Sequence, residues 1–316
     1  MNQDISICVL TENEMGWTEP FELDKVQILD NYYLSAQKSD IAFLKKMDTA
    51  RLLAGFRTTA GIDTKGVRPY GGWEDSLLGG HCVGHYLTAL AQAVKVTGDK
   101  ELKEKSQTLI AGLEECQKKL GTGFLFGAKV EDKEDVEKQF DILEGKKKGE
   151  TWVPWYNMHK VLAGLVDTYK YTGNETALLV AEKLGDWIYE RVSKWDLKTN
   201  QKVLETEYGG MNDCLYELYS HSHNKHHLEA AQKFDEKALF LMAAKGEKNC
   251  LDGKHANTQI PKFIGAIKRY NVLKQLGEAK QEDEAYLVDA EKFFEMVVKR
   301  HSFVTGGISV MEHFRK

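Results

Sequence analysis

The sequence predicts an all-α fold assembled from helical hairpins, preceded by a short β segment at the N-terminus. Three observations predict it. Apolar residues recur at spacings of three and four through most of the chain, which lines them along one helix face. Pairs of such stripes are joined by short turn signals, Thr97-Gly98-Asp99 and Thr172-Gly173-Asn174. There the glycine can end one helix and the Asp or Asn can cap the next. Only four prolines occur, Pro20, Pro69, Pro154 and Pro261, and each sits at or near a predicted element start, where proline is tolerated.

Residues 1–30 read as an extended segment, in which Phe21 to Leu29 partly alternates and predicts a short strand. Residues 31–316 read as one helical domain. Its first hairpin pairs the stripe Tyr86, Ala89, Leu90, Ala93, Val94 with Leu102, Leu109, Ile110, Leu113. The second pairs Leu162, Leu165, Val166, Tyr169 with Ala177, Val180, Ala181, Leu184, Trp187, Ile188. Two weaker copies follow. Cys214 to Tyr219 runs through a histidine-rich tip, His221 to His227, into Leu228, Ala231 and Phe234. Phe263 to Leu273 runs through Gly277 into Tyr286 to Val298. A single amphipathic hairpin cannot bury its own face, so the hairpins must pack side by side. A ring of six pairs, an (α/α)6 toroid, is the familiar closed solution, and four visible pairs leave it incomplete in this chain. An open solenoid is the alternative, but its repeats are shorter and lack long ornate loops.

Composition narrows the function. With 316 residues and 42% apolar content, the chain can bury a core of the size such a domain needs. A formal net charge of -5 offers no broad basic field, so nucleic acid is not an expected partner. No stretch approaches the roughly 18 apolar residues of a membrane span. The five cysteines, Cys8, Cys82, Cys116, Cys214 and Cys250, are scattered and odd in number, which reads as reduced thiols. Met1 to Leu10 carries no basic segment followed by an apolar run, so no secretory signal is read and a cytoplasmic location is expected.

Polar and aromatic residues concentrate in the connections that precede each hairpin. Four clusters stand out: Tyr70 to Glu74 running into Gly80 to Tyr86, Trp152 to Lys160, Glu207 to Asn212, and His255 to Lys262. In a ring of hairpins these positions fall at one end of the barrel. Flat aromatics, imidazoles and amides are what a site needs to stack on sugar rings and bond their hydroxyls.

The motifs that carry a resemblance are R-L-L-A-G-F-R at 51–57, G-H-x-x-G-H-Y at 80–86 and W-V-P-W-Y-N-M-H-K at 152–160. They continue with E-Y-G-G-M-N at 207–212, H-A-N-T-Q-I-P-K at 255–262 and V-T-G-G-I-S-V-M-E-H-F at 304–314. In this order they resemble the β-L-arabinofuranosidases of glycoside hydrolase family 127 and its relative family 146. The resemblance implies a six-hairpin α-barrel followed by β-sandwich domains. It implies retaining removal of terminal β-L-arabinofuranose from plant glycans, so the expected partner is an oligosaccharide or glycoprotein glycan. It places the acid/base role on Glu312. It also implies a cysteine nucleophile and a zinc ion held by three cysteines and a second glutamate. None of the five cysteines here matches those positions, which would lie beyond Lys316. Zinc is therefore expected in a full-length parent and not in this chain, which is expected to be inactive alone.

Beside Glu312, the residues expected to bind substrate are His81, His85, Trp73, Trp155, His159, His255 and Gln259. His81 and His85 share a helix face at a metal-compatible spacing, yet Cys82 and Val83 break the H-E-x-x-H pattern, so no metal ligand is assigned. His159 and His255 are expected to point toward the sugar, with satisfaction by backbone as the structural alternative. Gln259 and Asn257 either bond sugar hydroxyls or organise their loop. His221, His223, His226 and His227 read as a solvated hairpin tip, and the charged runs Glu131 to Glu137 and Glu144 to Glu150 as a surface insertion. Trp187 and Phe293 read as core. Glu74, Asp75, Glu205 and Glu207 are the remaining mouth carboxylates, any of which could pair with Glu312 if the family assignment failed. Competing readings are another toroidal carbohydrate enzyme, an unsaturated uronyl hydrolase or sugar epimerase, or a carbohydrate-binding toroid without catalysis.

Overall fold

The computed structural model describes residues 20–130, 132–207, 209–247 and 250–315. Cys8, Glu131, Tyr208 and the segment Met1 to Leu10 lie outside the described residues. Thirteen α-helices are described: α1 (Asn31–Lys46), α2 (Thr49–Thr59), α3 (His81–Thr97), α4 (Lys100–Leu120), α5 (Lys138–Leu143), α6 (Pro154–Thr172), α7 (Glu175–Val192), α8 (Leu197–Thr206), α9 (Met211–Ser222), α10 (Lys225–Lys233), α11 (Lys237–Ala244), α12 (Ala256–Gln275) and α13 (Glu284–Met296). The four expected hairpins are present as α3/α4, α6/α7, α9/α10 and α12/α13.

Three of the four hairpin tips share one device. Gly98 and Gly173 end their helices at φ 66° and 68°, and the following residue caps the next helix. Asp99 accepts from the Leu102 amide at 3.1 Å, and Asn174 from Ala177 at 3.1 Å. The histidine-rich tip follows the same plan. His223 takes φ 53°, and Asn224 accepts from His226 at 3.0 Å.

The first helices of the hairpins form an inner row, with α3 against α6, α6 against α9 and α9 against α12. The outer row runs α2, α4, α7, α10. Gly84 and Gly164 set the α3–α6 crossing. A Cβ on Gly84 would lie 1.9 Å from the Lys160 carbonyl oxygen, and one on Gly164 2.5 Å from that of Gly84. The motif glycine is thus where two backbones touch. One core runs from Leu52 to Phe234 through both rows, with Leu273 at its far edge. A second gathers Phe240, Phe263, Tyr286, Phe293 and Phe314 under α11 to α13.

Three expectations are corrected. The segment Phe21 to Leu29 forms a single 3-10 turn at Leu23–Lys25 and no strand. Phe21 and Leu29 stay about four-fifths exposed (82% and 80%), and with no strand among the described residues to pair with, alternation alone makes none. Pro261 lies inside α12, because that helix begins at Ala256 and takes in most of the cluster expected to be its connecting loop. Trp155 is 1% exposed and packs edge-on against Phe140, Trp195 and Phe234 at 4.8–5.5 Å. Its place in the first turn of α6 turns it into the core, and it cannot stack on a sugar. No helix among the described residues is long and apolar enough to cross a membrane.

Candidate active site

The inner helices α3, α6, α9 and α12 all start at one rim, and each start carries one of the sequence motifs. α3 and α6 begin without a capping side chain, at Gly80 and Val153. Buried glutamates from elsewhere on the rim replace the caps. Glu74 accepts from the Gly80 amide at 2.9 Å and the Cys82 amide at 3.3 Å. Glu207 accepts from the amides of Trp155 at 3.1 Å and Tyr156 at 3.2 Å. Both carboxylates are 8% exposed or less. They hold helix ends, where a negative charge complements the dipole. Their role is structural.

Glu74 also lies 2.9 Å from Nδ1 of His81, which is 2.8 Å from the Leu78 carbonyl. Nε2 of the same ring sits 3.8 Å from the Cys82 sulfur. Burial opposes a charged His81, but the Cys82 and Glu74 contacts outweigh it and carry its pKa up to about 10. His85, its ring 6.3 Å from that of His81, is pushed the other way by burial and by the charges of Lys160 and His81.

The rim continues through contacts between neighbours. The Tyr156 ring lies 6.0 Å from His81 and 5.4 Å from His159. His159 is buried and held well below the usual imidazole range by burial, with Lys160 and His85 adding to it. Its Nδ1 has no partner, and its Nε2 faces Gly210, where a Cβ would come within 2.5 Å. Gly210, at φ 120°, leaves that space open. His159 therefore forms floor beneath the rim. The amide of Gly209 donates to the Thr258 carbonyl at 3.0 Å, tying the α9 loop to α12.

At α12 the last motif folds back. The amide of Ala256 donates to the Glu312 carbonyl at 2.8 Å, and the amide of Phe314 to Lys254 at 2.9 Å. Val310 and His313 exchange backbone hydrogen bonds across Met311 and Glu312, both at positive φ, 49° and 65°. This two-residue turn lifts Glu312 to 81% side-chain exposure. Oε2 of Glu312 lies 3.1 Å from Nε2 of His255, and Nδ1 of His255 lies 2.9 Å from the Thr258 hydroxyl. If Thr258 donates to Nδ1, the Nε2–H donates to Glu312. Gln259, in the first turn of α12, is buried with Oε1 unpartnered. Trp73, 61% exposed, meets Trp152, 39% exposed, at 5.4 Å.

The structure thus brings His81, His85, His255, Trp73 and Glu312 to one rim, sets His159 and Gln259 buried beneath it, and removes Trp155 to the core. Trp152, Tyr156 and Cys82 also lie at this rim, inside the quoted motifs, though the sequence did not single them out as candidates. The histidine-rich tip does not converge: His226 stacks on Tyr189 at 4.0 Å, His227 is buried beside Ser222, and His221 faces Glu217.

A model described as Beta-L-arabinofuranosidase, GH127 catalytic domain, matches residues 25–316. The chain belongs to this family. Among solved structures, a GH127 β-L-arabinofuranosidase from Geobacillus stearothermophilus T6 is similar over 91% of this chain, at 16% identity and TM-score 0.53. The GH127 β-arabinofuranosidase BT3674 is similar over 92%, at 16% identity and TM-score 0.60. This chain spans 45% of each, and these likenesses show the shared α-toroid fold. A search of the curated proteins finds no match.

The zinc set that the family resemblance implies does not fit the described residues. The four described cysteines are free and belong to separate surroundings: Cys82 beside His81, Cys116 in α4, Cys214 in α9 and Cys250 against Met296. Burial pushes the thiol of Cys116 up to about 12 and that of Cys214 up as well, the reverse of a metal-bound thiolate. Among the described residues, Glu74, His81 and Cys82 are the one group of three donors within 4.8 Å of one another. That set is compatible with a soft divalent cation, yet it lacks two of the three expected cysteines, and its carboxylate already serves α3.

Proposed function

We propose that this chain supplies the sugar-binding rim and the general acid/base of a retaining glycoside hydrolase acting on terminal β-L-arabinofuranosides. The observation that carries the reading is Glu312, exposed on a constrained turn with His255 against one oxygen. A carboxyl so placed can give a proton to the leaving glycosidic oxygen and then take one from water in the second step. His255 fixes the direction of the carboxyl, and the Thr258 hydroxyl fixes the ring of His255. His81 and His85, further round the rim on α3, offer hydrogen bonds to hydroxyls of the same glycan, while the unpartnered Oε1 of Gln259 is enclosed at the start of α12.

Of the other mouth carboxylates, Glu74 and Glu207 are not rivals for the second catalytic role, since both are engaged as helix caps. The nucleophile and zinc ligands implied by the family correspond to none of the described residues, so no step is assigned to them. The substrate is an arabinofuranose-bearing glycan, as the family's activity supports.

Calorimetric titration with a methyl β-L-arabinofuranoside tests the reading. Binding is expected for the wild-type chain and for Glu312→Gln, and a loss of at least about tenfold for His255→Ala. Equal affinity for unrelated pentosides, or no binding at all, would overturn it. Turnover of an aryl β-L-arabinofuranoside by residues 1–316 alone would show that they contain a nucleophile.

A further inference from the structure

We infer that Trp73 and Trp152 form a second sugar subsite, which takes a ring of the glycan remote from the one beside Glu312. This inference rests on the function proposed above and adds the length of ligand the rim accommodates. Tryptophan is highly buried on average, and exposing two adjacent indoles forgoes the stabilisation their burial would give. Here Trp73 and Trp152 leave 61% and 39% of their surface exposed, with ring centroids 5.4 Å apart and planes inclined by 53°. They form an angled, partly exposed notch.

Both rings stand on fixed backbone. Trp73 lies in the 3-10 turn Gly72–Asp75, and its neighbour Glu74 is buried and bonded to the amides of Gly80 and Cys82. Trp152 is followed by buried Val153 and Pro154, which open α6. Rings mounted rigidly yet left bare lose little freedom when a ligand arrives.

The notch is continuous with the sugar rim. Glu74 holds His81, the His81 ring faces Tyr156, Tyr156 faces His159, and His159 lies under Gly210. Gly209 then bonds to Thr258, next to His255 and Glu312. Trp152 lies two residues before α6 and Glu312 is bonded to the first residue of α12, with α9 between the two helices. Neighbouring helices are about 8–10 Å apart, so two spacings put roughly 16–20 Å of arc between the notch and the carboxyl. A single furanose cannot touch both ends. The occupant of the notch is a further sugar ring of the same glycan, its C–H face on an indole and its hydroxyls outward.

Intrinsic tryptophan fluorescence, read during titration with methyl β-L-arabinofuranoside and with an arabino-oligosaccharide of several residues, tests this. The oligosaccharide is expected to shift the wild-type emission and to bind about tenfold or more tighter than the single sugar. In Trp73→Ala and Trp152→Ala that gain shrinks to about twofold, while calorimetry still registers the single sugar. Circular dichroism matching wild type confirms that each variant folds. Retention of the full gain in both variants, or a wild-type chain with no preference for the longer ligand, overturns the subsite and leaves the function standing. A wild-type chain that binds neither ligand overturns the function and the subsite with it.

Discussion

At the scale of residues, the turn Val310–His313 shows the most about the site. Met311 and Glu312 both hold positive φ, which costs a side-chain-bearing residue about 1–2 kcal/mol. Observed strain of this kind clusters at functional positions. Met311 is 87% exposed, so replacing it with glycine removes strain and little packing. Met311→Gly is expected to raise stability by about 0.5–1 kcal/mol, after glycine's added freedom in the unfolded chain is subtracted. A urea midpoint at or below that of wild type would count against the strained turn. His81 gives a second expectation. Its pKa, near 10 in the fold, lies above the ordinary value of 6.5, so its charged contacts stabilise fully below about pH 6.5 and fade as pH rises through about 10. In Glu74→Gln the imidazole resonances should titrate well below 10, although the Cys82 contact remains. A midpoint unchanged near 10 would remove Glu74 from the account. The sequence shows that Glu74 and His81 share a motif, but not that the carboxylate serves the backbone of α3, because an amide's need for a partner leaves no mark in composition.

At the scale of elements, the hairpins were legible and the short helices between them were not. Apolar spacing and the Gly-Asp or Gly-Asn tips mark α3/α4 and α6/α7 directly. The α9/α10 tip was obscured because His223 takes the left-handed position that glycine fills elsewhere. The short α5, α8 and α11 follow no long stripe, and their place comes from packing and ion pairs that no local pattern encodes. Arg191 on α7, for example, meets Glu137, Asp141 and Glu144 around α5 at 2.5–3.0 Å. The α3–α6 crossing supplies the test at this scale. A methyl on Gly84 would sit 1.9 Å from backbone oxygen, which cannot rotate away. Gly84→Ala is expected to cost about 3 kcal/mol or more. Gly71→Ala, where nothing lies within 4 Å, should cost little. Similar melting temperatures for the two variants would contradict the close crossing.

At the scale of the whole molecule, the inner row ends on an uncovered face of α12 and α13. Ile260, Phe263, Ile264, Ile267, Phe293 and Phe294 line an apolar groove of ≈ 670 Å³ there, with Phe294 68% exposed. Exposed apolar surface of this kind promotes association. The chain is expected to self-associate as concentration rises, and Phe294→Glu to reduce that. Sedimentation velocity showing one compact monomer at every concentration would refute it. The shared rim was legible because four of the motifs fall at the starts of the four inner helices. The loss of Trp155 to the core was not, since two tryptophans three residues apart read alike until the helix start fixes which one faces inward. Glu207 has reach beyond its own bonds. The carboxylate that closes the first turn of α6 belongs to the segment leading into α9, four residues before that helix begins. It works as a length gauge: the chain between Glu207 and Met211 fixes how far one repeat may slide along its neighbour. Inserting a single residue there would offset the two helix starts and with them the level at which the imidazoles stand.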